Sequence, residues 1–470
     1  MKKPYAVINF TKLEFEKIEN TPPDFLDSNY LKYLVHHVLK NLAFHIEQAK
    51  REDEKEMEDI TTIYIPLYSQ ARINERIHAK HKNFLCGNYI DHKKTRTTIQ
   101  KRSILYQGEY VAWDNQNKGK PFSYRPSDIY KNKPICVDYI DDIKLSKKIR
   151  ELEVKIHPVV YSGKYKFLKK YFVFEPRKPN LLEINLENAI ELCQTRRKLH
   201  NNYGKYLNEA SQIVDIYNGL FRIYYNKNTD GRLHTNLTRL PRVYRKHLKY
   251  NNKTLVEVDL SNSIVFFLAV LLRRSLPLNI VTKYPILLMI YKYLESIDII
   301  EIQEFEKLSI SGEIYDFFIP AFRENYKPNI IAKLYKKISD EPYEDRDEQI
   351  RKLVKKRLLA MLFSETKDYT IEQKIFSNKF PEILENLNNY KNENGYNKLS
   401  HALFQLEAFC MIDKAGGKFN KAYSKVAPLF TLHDCLITTL GYEKDLKETM
   451  EKAFIETLGV TPNMKIKVWE

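Results

Sequence analysis

The stretch Thr254–Leu272, TLVEVDLSNSIVFFLAVLL, decides how the rest of the chain is read. Leu255, Val256 and Val258 form a short branched apolar run that favours a strand, and it ends at Asp259. From Ser261 to Leu272 nearly every residue is apolar, which predicts a buried helix. Asp259 therefore falls at a strand-to-helix junction. A carboxylate among apolar neighbours is costly unless it is paired or holds a metal. Asp259 is thus a candidate site residue, and a second carboxylate on a similar strand is the feature to look for.

It occurs in Leu429–Thr439, LFTLHDCLITT, where a segment reading as a buried hairpin carries His433 and Asp434 at its centre. One His-Asp pair alone is as often a bland turn. Two aspartates presented from neighbouring strands can hold two divalent cations. Such a metal pair activates a 3′-hydroxyl and stabilises the leaving pyrophosphate in phosphoryl transfer. That chemistry also needs a grip on a triphosphate, and the segment DRDEQIRKLVKKRLLAMLFSE offers one. Arg351, Lys355, Leu359 and Phe363 recur every fourth residue, so on a helix they trace one slowly turning ribbon. Arg351 and Lys355 suit phosphate oxygens, and Phe363, further along, suits stacking on a base. In isolation the same segment reads as a solvated basic helix with a Leu-rich inner face.

Composition agrees with a nucleic-acid partner. Among 470 residues, Lys+Arg 77 against Asp+Glu 60 gives a formal charge of +17, a field that attracts a polyanion. Charge alone leaves nucleic acid and an acidic membrane surface both open. Basic and aromatic residues interleave in KYKFLKKYFVF and YNGLFRIYYNK, a mixture that suits base stacking beside phosphate contacts, although most such rings belong to cores. Five cysteines lie far apart with no C-x-x-C, which excludes a zinc signature and a disulfide framework and predicts a reducing compartment. The most apolar run, Ser263–Leu272, is too short to span a bilayer and ends in Arg273-Arg274. The N-terminal MKKPYAVINFTKLEFEKIEN lacks the apolar stretch of a signal peptide. A cytoplasmic protein without a membrane partner is expected.

With only 13 glycines and long Lys/Glu/Leu/Ile segments, the chain reads as α+β and mainly helical. A helix is expected over Tyr30–Glu58. INERIHAKHKNFL and TIQKRSIL read as two short basic helical segments, followed by a strand-turn-strand in YQGEYVAWDNQNKGKPFSYRPS with NKGK at its tip. That order fits a winged helix, with Lys118 and Lys120 touching a nucleic-acid backbone; a plain two-strand ornament fits as well. A boundary near Pro126 is expected, so residues 1–125 form a basic nucleic-acid-binding region. Residues 126–218 read as thumb-like or connecting helices broken by FEPRKPN, and residues 219–470 hold the candidate chemistry.

The pieces in this last region resemble family A DNA polymerases and their relatives, the phage-type single-subunit RNA polymerases. Asp259-Leu260-Ser261 resembles the family's Asp-x-Ser strand-helix motif. Arg351, Lys355, Phe363 and Ser364 resemble its R-x3-K-x7-Y-G fingers helix, and His433-Asp434 its His-Asp hairpin. DGRLHTNLTRLPRVYR is similar to the primer-side Gly-Arg motif through Gly231 and Arg232. LSHALFQLEAF is similar to the helix whose Gln tracks the primer-template minor groove, here Gln405.

The resemblance covers roughly the C-terminal half. It implies a right-hand fold of palm, fingers and thumb, two Mg²⁺ ions on Asp259 and Asp434 with Mn²⁺ as an alternative, and nucleotidyl transfer from nucleoside triphosphates to a primer on a DNA template, with RNA the alternative template. It further implies that Arg351 and Lys355 bind the triphosphate, Lys355 protonates pyrophosphate, and His433 positions the primer terminus. Nothing in the first two hundred residues resembles the paired acidic strands of the family's proofreading exonuclease. Three departures stand out: Ile264 replaces the sugar-screening Glu, Phe363-Ser364 replaces Tyr-Gly, and Cys435 replaces the usual Glu. They suggest a specialised enzyme of a phage, mobile element, or bacterial defence or repair system. An RNA polymerase or primase is the alternative enzyme, and a nucleic-acid-binding protein with a degenerate polymerase fold is the alternative of another class.

Overall fold

The structure, a computed structural model, describes residues 4–10, 26–52, 65–66, 75–86, 88–90, 97–99, 103–108, 123–130, 133–156, 163–172, 181–200, 202–226, 228–339 and 341–470. These residues are α+β and mainly helical. At the centre lies an antiparallel sheet. Its middle strand, Lys253–Leu260, is flanked by Cys435–Thr439 on one side and by Leu248–Tyr250 and Met464–Val468 on the other. Phe430–Thr431 and Leu182–Ile184 form the edges. Side chains alternate along a strand. Val256, Val258 and Leu260 therefore share one apolar face, while Glu257 and Asp259 share the other.

The strand leads into α1 (Ser263–Leu272), in which every residue but Ile264 is buried. The helix begins two residues later than the apolar pattern alone suggests, because Asn262 takes the left-handed conformation at φ 57°. Its side chain is then free to reach sideways: Asn262 Nδ2 donates to the Gly312 carbonyl at 2.7 Å. Two further helices frame this junction. They are α2 (Asp347–Phe363) and α3 (Asn397–Ala408), and α3 packs directly on α1. Behind the sheet, Phe454 of the helix Glu443–Leu458 meets Phe266 and Phe267, each at a ring separation of 6.1 Å.

The N-terminal part joins the same continuous core, which runs from Tyr5 to Trp469. Tyr5–Phe10 pairs antiparallel with Ile135–Ile140, and Ser28–Glu52 packs on Tyr203–Tyr217, so this packing crosses the division expected near Pro126. Residues 53–58 of the helix expected to reach Glu58 lie outside the described residues, as does FEPRKPN (174–180).

TIQKRSIL departs from its expected helix. Thr98 and Ile99 belong to the strand Thr97–Ile99, paired with Asn88–Ile90, and Leu105 opens the strand Leu105–Gln107. The β-branched Thr-Thr-Ile run favours an extended backbone more than its basic neighbours favour a helix. Among the described residues here, one helix, Glu75–Leu85, is therefore followed by small sheets instead of by a second helix. Lys118 and Lys120 lie outside the described residues. Much of the aromatic-basic run turns inward: Tyr165, Tyr171 and Phe172 are core residues. Among the described residues no helix is long and apolar enough to cross a membrane.

Candidate active site

The sheet delivers both aspartates to one place. Asp259 lies directly across from Cys435, and the Leu260 N–H donates to the Asp434 carbonyl at 3.0 Å. Between the hairpin strands His433 adopts φ 63°, a left-handed conformation that lets the chain turn within three residues. As a result, one ligand atom each from Asp259, Asp434 and Cys435 lie within 4.8 Å of one another.

Glu407, fully buried on α3, adds negative charge. Burial first, and then the charges of Glu407 and Asp259, push the Asp434 carboxyl up to about 7, with Arg232 opposing. Three carboxylates, Asp259, Asp434 and Glu407, meet two cations, Lys467 on Asp259 and Arg232 on Glu407, so the cluster keeps an excess of negative charge that suits a further cation. Its hard oxygen donors fit Mg²⁺ or Mn²⁺, and the softer Cys435 sulfur is a thiol held protonated by burial.

Helix α3 is the hub that gathers the remaining side chains. Arg232 forks onto Glu407 Oε1 through Nη2 at 2.6 Å and Nε at 2.8 Å, while Ser263 Oγ donates to Glu407 Oε2 at 2.5 Å. The Arg232 guanidinium lies 3.6 Å from the centre of the Phe404 ring, and Phe404 in turn meets Phe363 at 5.5 Å. One residue on, Gln405 Nε2 donates to the Thr229 carbonyl at 2.7 Å. Gly231 beside it has φ +65°, and a Cβ there would come within 3.2 Å of Gln405 Cγ, so both backbone conformation and space call for glycine.

His433 stacks edge-on to His234 at 5.1 Å, and His234 pairs with Asp230 at 2.7 Å. Burial, then the neighbouring Arg232 and His234, hold the His433 ring down to about 3, so it is neutral at physiological pH. Its Nδ1 has no hydrogen-bond partner among the described residues.

The predicted cations share α2. Arg351 Nε pairs with Asp316 at 2.9 Å, its Nη2 donates to the Gly312 carbonyl at 3.1 Å, and both Arg351 and Lys355 lie 5.8 Å from the Tyr315 ring. They therefore occupy one face, and through Gly312 that face is tied to Asn262 at the end of the aspartate strand. Ile264 is half-buried against the core in the first turn of α1, next to Ser263.

Asp259, Asp434, Arg232, His433, Gly231, Gln405 and Phe363 thus lie in a chain of direct contacts or close charges, with Arg351 joined to it by the shared carbonyl. Lys118 and Lys120 are not among the described residues. Glu407, Phe404, Asn262 and Lys467 were not foreseen. Glu407 had a legible signal, being the sole acid in the otherwise apolar and neutral LSHALFQLEAF; the others had none.

No family model matches the chain, and no curated protein matches it. Among solved structures it is similar to the POL domain of Pol1 from M. smegmatis in complex with DNA primer-template and dNTP, at 11% sequence identity and a TM-score of 0.33. The match covers 69% of this chain and 64% of that one. A likeness at that score carries no weight in assigning a function.

Proposed function

We propose that the chain is a template-directed nucleotidyltransferase, a family A-like DNA polymerase without proofreading that extends a primer with deoxynucleoside triphosphates. One observation supports this above the others: Asp259, near the end of the central strand, and Asp434, in the turn that enters the adjacent antiparallel strand, bring ligand atoms within 4.8 Å, beside an excess of buried negative charge. In this reading the central sheet is the palm, α2 lies in the fingers, residues 126–218 form a thumb-like part, and residues 1–125 bind nucleic acid.

Asp259 and Asp434 would hold Mg²⁺ or Mn²⁺, which when bound would supply Lewis acidity at the 3′-hydroxyl and at the departing pyrophosphate. Arg351 and Lys355 receive the triphosphate, and Arg351 exchanges its hold on Asp316 for phosphate oxygens. Lys355 donates a proton to pyrophosphate, and Phe363 stacks on the incoming base. Arg232, already oriented by Glu407 and Phe404, lies with Gln405 and Gly231 along the primer-template minor groove. Neutral His433 offers its unpartnered Nδ1 to the primer terminus.

The test is primer extension on defined DNA and RNA templates with each nucleotide set; template-following incorporation is expected. Binding without incorporation under any combination would favour the degenerate binding protein instead. Affinity for primer-template should fall steeply with salt, the log-log slope corresponding to several phosphate contacts; a flat dependence would rule out the +17 surface as the binding surface.

A third expectation concerns the sugar. Ile264 is bulky and has no polar group, so it would collide with a 2′-hydroxyl and leave it without a hydrogen bond. Deoxynucleotides should therefore be preferred, and Ile264→Gly should increase ribonucleotide use. Steady-state incorporation of each sugar opposite one template base decides it, and a wild-type preference for ribonucleotides would point to the RNA polymerase alternative.

A further inference from the structure

The strand Met464–Val468 runs beside the aspartate strand, with Lys467 opposite Glu257 and Lys465 opposite Asp259. These four side chains share one face of the sheet. Lys467 reaches diagonally across it. Its Nζ forms an ion pair with Asp259 Oδ2 and lies 3.6 Å from Glu257 Oε1. Glu257 is itself buried and fixed: its Oε2 accepts from Arg245 Nη1 at 3.0 Å and from Trp469 Nε1 at 2.9 Å. Its other oxygen faces Lys467. The ammonium thus sits between two carboxylates, one of them a candidate metal ligand and the other already held in place.

We propose that Lys467 is a resident counter-ion that competes with the divalent cation for Asp259 and shifts onto Glu257 when the cation binds. The inference rests on the metal site of the proposed function. An ammonium and a divalent cation repel each other strongly at contact distance, so each weakens the other's hold on the Asp259 carboxylate. Glu257 gives the displaced ammonium a partner on the same face, so the side chain need only pivot. Lys467 is about one-third exposed, which leaves its flexible stem free to do so.

The arrangement has a double effect. In the metal-free protein Lys467 relieves the repulsion among Asp259, Asp434 and Glu407, to which Arg232 alone would otherwise respond. In exchange it weakens cation binding. Removing the ammonium should therefore loosen the metal-free fold and tighten the metal site at the same time. A purely structural lysine would produce only the first change.

The experiment measures Mn²⁺ binding to the full chain by electron paramagnetic resonance of the free ion, without nucleotide or nucleic acid, together with Tm with and without Mn²⁺. Lys467→Met should bind Mn²⁺ about tenfold more tightly than wild type, the effect of removing one positive charge near the ligand. Its metal-free Tm should fall, and its gain in Tm with Mn²⁺ should exceed that of wild type. Lys467→Arg should behave as wild type. Lys467→Gln serves where Lys467→Met is too unstable to purify.

Unchanged or weaker Mn²⁺ binding in both neutral variants would overturn the counter-ion role. Asp259→Asn separates the metal site from the role of the lysine. If it binds Mn²⁺ as wild type does, the metal site itself is refuted; if it loses binding while the neutral Lys467 variants match wild type, only the role of Lys467 is refuted.

Discussion

Asp434→Asn and Asp259→Asn are each expected to abolish nucleotide addition while leaving the chain folded and able to bind primer-template. Each substitution keeps the size of the side chain and removes one anionic donor from a cluster whose ligand atoms lie within 4.8 Å. Loss of such a donor should lower the rate a thousandfold or more, about 4 kcal/mol of transition-state stabilisation. Stability should not follow activity. The Asp434 carboxylate is opposed by burial and by the charges of Glu407 and Asp259, so a neutral amide there removes repulsion. Single-turnover extension with Mg²⁺, read beside the Tm of the metal-free protein, makes the comparison. Near-normal extension by either variant would refute the two-aspartate assignment, and a collapsed Tm for Asp434→Asn would refute the electrostatic account.

The largest effect on stability is expected from Lys40→Met. Lys40 is buried between two helices, its Nζ 3.0 Å from Glu153 Oε2 and 2.7 Å from Asp215 Oδ1. Truncating it leaves two buried carboxylates, with Arg222 at 3.8 Å from Asp215 as a partial compensation. Breaking a buried ion pair from one side costs about 3–5 kcal/mol, whereas replacing all its members costs much less. Lys40→Met combined with Glu153→Gln and Asp215→Asn should therefore recover most of the loss in urea unfolding. A single variant within about 1 kcal/mol of wild type would show that the network contributes little.

The same network sets a pH dependence. Burial would raise the Glu153 carboxyl, but the charge and hydrogen bond of Lys40 outweigh it and hold the group down to about 2. A depressed carboxyl stabilises the fold above its unfolded value of about 4.3. That contribution should fade as pH falls from there through about 2, and Lys40→Met should remove it.

Much of the candidate site was legible because its signals are local. The strand-to-helix junction at Asp259, the hairpin at Asp434 and the ribbon Arg351-Lys355-Phe363 each lie within one short stretch of sequence, where apolar periodicity determines the outcome. What was not legible depends on distant segments meeting. Arg232 and Glu407 are 175 positions apart and Asp259 and Lys467 are 208, and nothing in either neighbourhood announces its partner. TIQKRSIL differs for another reason: its basic residues suggest a helix, but Thr97, Thr98 and Ile99 are β-branched and pair with Asn88–Ile90 as a strand.

The Gly312 carbonyl, which accepts from Asn262 at 2.7 Å and from Arg351 at 3.1 Å, has a mechanical consequence. It acts as a pivot shared by α2 and the turn that opens α1. A rotation of the helix carrying Arg351 must either break its bond to this oxygen or drag the oxygen along, and in the second case the pull reaches the turn three residues beyond Asp259. Gly312 itself sits at φ +87°, where a side chain would be strained, so the pivot depends on that residue remaining glycine. A displacement of α2 would then be felt as tension at that turn, carried by a single oxygen atom and not by a change in the sheet.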